Sequence, residues 1–323
     1  MVISVIGIPG TVVTICFYGK RIKKTTAATP LILTTLAGFD MLSLIFTIPM
    51  SAVSIHLFYI DGWKQDRLFA ICNAVTRIPK NCSNLMLLLI GIERLVSVAW
   101  PHKLKKIFTK KVGIVCVIVV CTIITPMTVA PMAIEPELVA IQGPEGDYFV
   151  RRMPQRDVNP NLYNVFYQNT ILLYFVLPLG GVFVCNAALV VLLLKRSRTN
   201  RLNRNLNMMT PAQTRELRTT KLVMSVTVIF IVCILPFVVI FPIQTSSGAD
   251  IPIKGMLLII PLSMLLECIT YSMNAVVYYI GNATFREEIR EMMSCACECK
   301  IVKTQQVRPI NTVSTGIAID SHL

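Results

Sequence analysis

Five ionisable residues stand inside stretches that are otherwise apolar: Asp40, Arg77, Lys80, Arg94 and Glu267. A charge in a low-dielectric medium is costly, so each marks a candidate site. A carboxylate such as Asp40 needs a counter-ion or a proton there. Arg77 and Lys80 are three apart and project from one helix face, with Asn81 directly behind them. They precede Arg94 by 17 and 14 residues, a helical rise of about 25 and 21 Å. With Glu267 they leave a formal excess of one positive charge, which suits an anionic group on a ligand. The same residues also fit an internal salt bridge, Lys80 or Arg77 with Glu267, that ties two helices together; both readings hold if a ligand breaks the bridge. The chemistry is charge pairing and binding rather than bond making. There is no His-Glu-x-x-His motif, and His56, His102 and His322 lie far apart in sequence, so no enzyme is expected.

These residues are carried by seven apolar stretches, approximately 1-19, 30-58, 68-99, 112-133, 162-194, 219-243 and 253-280. A helix needs roughly 20 apolar residues to cross a bilayer, and hydrocarbon admits only helices or closed barrels. Strict period-2 alternation, the mark of a barrel, is absent. The chain is 54% apolar and 15% charged, against about 25% charged in a soluble domain. No polar connection leaves room for a large soluble domain. The expected fold is an all-α membrane protein, a seven-transmembrane helix bundle followed by a short cytosolic amphipathic eighth helix at 281-294 and a cytosolic tail at 295-323. The first stretch rises about 28 Å and is interrupted by Gly7, Pro9 and Gly10. No basic segment precedes it, so it is not a signal peptide, and an outer tail and first turn are expected to be missing from the chain.

Lysine and arginine set the orientation. Segments 20-29, 100-111, 195-221 and 281-323 hold 22 of the 31, whereas the opposite loops hold 6 beside eight acids. The basic loops and the C-terminus are therefore expected in the cytosol, and the protein in the plasma membrane as a multi-pass chain. The net charge of +14 follows from this topology, and no nucleic-acid partner is expected because no recognition module is present. Most of the eleven cysteines fall in the spans as small apolar fillers. Cys295, Cys297 and Cys299 follow the eighth helix and are candidates for palmitoylation, or else three free cytosolic thiols. The Asn282-Ala283-Thr284 sequon falls on the cytosolic side and is expected to be inert.

Four motifs in order carry a resemblance. They are Leu36-Ala37-Gly38-Phe39-Asp40 in the second stretch, and Glu93-Arg94-Leu95 with Pro101 at the end of the third. Phe230, Cys233 and Pro236 follow in the sixth, and Asn274-Ala275-Val276-Val277-Tyr278 with Phe285 in the seventh. Over residues 10 to 293 the chain resembles a rhodopsin-like (class A) G-protein-coupled receptor. The resemblance implies a buried polar core of Asp40, Ser83 and Asn274 that binds an allosteric sodium ion; the alternative is a hydrogen-bonded cluster without an ion. No other cofactor or metal is expected. It implies that Arg94 is held by Glu93 and by Glu216, twenty residues before Pro236, although the pair also reads as an incidental surface contact. It implies that Pro178, Phe230, Pro236 and Tyr278 form the activation switch. The partners would be an extracellular ligand, a heterotrimeric G protein and membrane lipid.

The ligand site would comprise Arg77, Lys80, Asn81 and Glu267. Thr76 and Cys268 stand where amine receptors and opsins resemble one another in carrying aspartate and lysine, which disfavours both classes. Pro49 and the long charged loop 134-161 are similar to those of peptide receptors, so a peptide or small acidic molecule is favoured, as in divergent invertebrate peptide and chemosensory receptors. The chain departs from the family at Thr11, Asn84, Asn186, Ile234 and Ala275, lacks the fourth-helix tryptophan, and has no loop cysteine to meet Cys72. A signalling-defective decoy is therefore one alternative. A transporter or channel is another, disfavoured because no internal repeat divides the seven stretches.

Overall fold

The computed structural model describes residues 2–59, 67–100, 103, 106–129, 137–142, 148–153, 172, 176–202, 220–236 and 251–291. Its helices are α1 (Val2–Ile22), α2 (Thr29–Tyr59), α3 (Arg67–Ala99), α4 (Lys110–Val129), α5 (Leu177–Leu202), α6 (Thr220–Pro236) and α7 (Ile253–Gly281). Among the described residues five helices are long and apolar enough to cross a membrane, and α6 is a shorter apolar one. A helix at 283–291, α8, belongs to a separate unit.

Helices form because these runs offer a hydrocarbon solvent no unpaired backbone group, and their hydroxyls are hidden in the same way. In α2 the side chains of Thr34, Thr35, Ser43, Thr47 and Ser51 each donate to the carbonyl four residues earlier, at 2.6–3.0 Å. A polar residue is thereby carried into an apolar helix without a partner helix to satisfy it. Prolines 9, 49, 79, 126 and 261 lie inside helices, where each removes one backbone hydrogen bond.

α2 and α3 occupy the middle of the bundle. α2 packs on α1, α3, α4 and α7, and α3 packs on α2, α4 and α5. α1 lies close against α7: a Cβ added to Gly7 would fall 2.2 Å from Ser272 Oγ, so only glycine permits that approach. The turn between α1 and α2 is tied to the start of α4 by Ala28 N–H donating to the Phe108 carbonyl (3.3 Å) and Lys110 N–H donating to the Thr26 carbonyl (2.9 Å). One core cluster joins Leu44, Cys268 and Tyr271, and another joins Cys82 and Ile124.

Sequence reasoning expected a plain loop over 134-161. Instead, β1 (Glu137–Gln142) and β2 (Tyr148–Met153) form an antiparallel pair, Glu137 opposite Met153 and Gln142 opposite Tyr148. β3 (Ile251–Pro252), directly before α7, adds to β2. The hairpin escaped notice because β2 reads Tyr-Phe-Val-Arg-Arg-Met, two blocks rather than an alternation. It leaves the helical class of the bundle unchanged, since the strands lie between the helices in the chain.

Candidate functional site

Asp40 projects from α2 and is wholly buried. Ser83 Oγ of α3 donates to its Oδ1, and Asn274 Nδ2 of α7 donates to its Oδ2 at 2.6 Å. One carboxylate thus joins three helices. Among the described residues no cationic side chain pairs with it, and no cluster of three metal-ligating side chains occurs. The donor set of carboxylate and hydroxyl oxygens is hard and carries a single negative charge. It fits a small monovalent cation, which would balance the carboxylate without requiring a second acid.

Glu93 and Arg94, near the last turn of α3, are also buried. Thr29 Oγ1, the first residue of α2, donates to Glu93 Oε1. Arg94 Nη2 lies 3.8 Å from Glu93 Oε2, an ion pair too long to be a hydrogen bond. Glu93 Oε2 and Arg94 Nε have no hydrogen-bond partner. Nearby, the rings of Tyr18 and Tyr278 meet edge-on at 5.6 Å, and Tyr18 meets Phe17 at 4.9 Å.

About fourteen residues before Arg94, Lys80 Nζ donates to Glu267 Oε2 of α7. These side chains are 14% and 15% exposed, so the pair is mostly but not wholly shielded. Arg77 does not join it, and among the described residues no acid pairs with Arg77. Buried carboxylate bridging α2, α3 and α7, buried arginine ending α3, and seven apolar helices together describe one architecture. The sequence also matches the model of the 7 transmembrane receptor (rhodopsin family) over residues 10–278.

The chain belongs to the rhodopsin family of seven-transmembrane receptors. No curated protein matches it significantly. As a family member it is a multi-pass membrane protein and a signalling receptor. In this receptor the residues singled out in α5 to α7 are placed as follows. Pro178 is the second residue of the described α5, Pro236 the last of α6, and Phe230 and Tyr278 are buried. Glu216, Cys295, Cys297 and Cys299 lie outside the described residues.

Three features of the receptor were not anticipated. The first is Thr29, whose bond to Glu93 joins residues 64 apart. The second is a bond between α5 and α6: Asn186 Nδ2 donates to Thr227 Oγ1 at 2.7 Å, and Thr227 donates onward to the Met224 carbonyl at 2.9 Å. Both side chains are buried, so the hydroxyl's two roles are filled within protein. The third is Gly281, where a Cβ would fall 1.8 Å from Leu222 Cδ2; the end of α7 and the start of α6 are held together by the missing side chain. Asn186 had been noticed only as a departure from the family pattern. A polar residue in an apolar run was the available signal, but nothing in sequence pairs it with Thr227.

Proposed function

We propose that the receptor sits in the plasma membrane with its C-terminus in the cytosol, binds an extracellular ligand, and activates a heterotrimeric G protein by outward movement of α6. The observation that carries this reading is Arg94. It is buried at the end of α3 beside Glu93, with Nε unpaired, while Thr29 engages the other oxygen of the glutamate. A buried guanidinium with unfilled donors is able to exchange one set of partners for another, which a two-state element requires. Glu216 is the proposed second anchor, and Pro178, Phe230, Pro236 and Tyr278 are the proposed switch.

The ligand proposed is a peptide or small acidic molecule, recognised by Arg77, Lys80, Asn81 and Glu267. With Lys80 engaged by Glu267, Arg77 supplies the uncompensated charge. A sodium ion is proposed at Asp40, Ser83 and Asn274, where it would screen the buried carboxylate. Cys295, Cys297 and Cys299 are proposed palmitoylation sites that would fasten the tail to the membrane.

A second reading, a decoy that binds without signalling, is favoured by one observation: the Asn186–Thr227 bond ties α5 to the helix that must move. The experiment compares basal second-messenger output for wild type, Glu216→Ala and Arg94→Ala at equal surface delivery. A rise in Glu216→Ala with loss in Arg94→Ala supports the latch and the coupling together. Background output in all three favours the decoy.

A further inference from the structure

Arg77, Asn81, Asn84, Leu88 and Gly91 follow at intervals of 4, 3, 4 and 3 residues, which aligns them in one stripe along α3. The end of the stripe nearer Arg94 rests on α5. A Cβ on Gly181 would lie 2.6 Å from Leu88 Cδ1, and one on Gly91 would lie 3.5 Å from Cys185 Cβ. This is a closed apolar floor. Directly above it Asn84 is 6% exposed and Asn81 8%. Asn84 Oδ1 and Asn81 Nδ2 are buried and have no hydrogen-bond partner. Arg77, half-buried, stands one turn above Asn81.

Leaving one such atom unpaired costs about 1–3 kcal/mol. Two of them, an acceptor and a donor less than one turn apart on a stripe that ends at a cation, are a matched pair with nothing between them. We propose that this stripe is the deep end of the ligand site and receives a primary carboxamide. The amide carbonyl accepts from Asn81 Nδ2, and its N–H donates to Asn84 Oδ1. A carboxylate is refused at this depth because it would face the Asn84 carbonyl oxygen without a proton to offer. An apolar group would leave both asparagines unpaired. The inference rests on the reading of Arg77 as the cation that meets the ligand. The ligand then carries an acid and, about 10 Å deeper along the seven-residue rise from Arg77 to Asn84, a primary amide. An amidated peptide with an acidic residue has that chemistry. Asn84 stands where the family pattern has an apolar residue, so the polar site extends a turn deeper here than that pattern provides.

The test is thermal unfolding of the full chain in lipid nanodiscs with three probes: isobutyramide, N,N-dimethylisobutyramide, which lacks the N–H, and isobutyrate. The expected result is a rise of about 1–2 °C with isobutyramide and none with the dimethyl compound. Asn84→Leu is expected to abolish that rise and, without any probe, to melt higher than wild type, because it removes an unpaired polar atom. Asn81→Leu serves as the second variant should Asn84→Leu fail to reach the membrane. Equal shifts from both amides, or no shift from either, overturn the proposal. So does a lower melting point for both variants without probe, which would mean that internal water already satisfies the asparagines. Arg77→Ala separates the two readings. It is expected to lose the response to isobutyrate and keep that to isobutyramide. An amide response without any acid response in wild type overturns the anionic reading and leaves the carboxamide subsite standing.

Discussion

Ser83 and Asn84 are adjacent in sequence and opposite in circumstance. Ser83 Oγ donates to Asp40, whose other oxygen accepts from Asn274, so the cluster toward α2 and α7 is filled. Asn84 Oδ1, on the face toward α5, has no partner. The two faces of α3 thus treat buried polarity differently. The filled cluster holds three helices in register, because loss of any member strands the others. The unfilled stripe contributes nothing to holding helices and leaves atoms ready for something else. At the end of α3, Arg94 and Glu93 lie between these extremes, with Thr29 engaged and Nε and Oε2 unpaired.

The largest effect is expected at the filled cluster. Asp40→Ala strands the Ser83 hydroxyl and the Asn274 amide and should cost about 3 kcal/mol, read as a lowered unfolding midpoint in nanodiscs. If the midpoint is unchanged, the contrast between the two faces collapses. Lys80→Met comes next. It leaves Glu267 mostly buried and uncompensated, at about 2 kcal/mol after discounting for residual solvent. The double variant Lys80→Met with Glu267→Met should regain most of that loss in the same assay.

Thr227→Val should cost about 1 kcal/mol by stranding the Asn186 amide. Adding Asn186→Leu should restore stability, since both partners are then apolar, and basal signalling should rise in both variants if the bond restrains α6. A double variant that is worse than the single would mean that Asn186 has another role. The smallest effect tests the proposed ion: replacing sodium chloride by choline chloride should lower the wild-type midpoint by about 1 °C. Asp40→Asn, which has no charge to screen, should show no difference between the salts.

Much of the architecture was legible because a bilayer demands length and apolarity from every spanning helix, and both are one-dimensional properties of the chain. Lys80 with Glu267, and Asp40 with Ser83 and Asn274, could be named from the scarcity of polar groups in apolar runs. Thr29 could not, because threonine costs little in a helix and resembles the self-satisfied Thr34 and Thr35 nearby. The hairpin at β1 and β2 was missed because backbone pairing, not side-chain alternation, holds it.

The sequence by itself therefore determined the solvent, the helical class and the short roster of costly groups, since each follows from transfer free energies that belong to residues one at a time. Which of those groups would find partners was decided only in three dimensions. Lys80 meets Glu267 and Arg77 does not; Asn186 is bonded and Asn84 is not. Pairing depends on which helix faces meet and how closely, and that closeness is set by side chains such as Gly7, Gly181 and Gly281, where the absence of a Cβ lets a neighbour approach. No periodicity in the chain encodes such a contact, because it joins residues that only packing brings together.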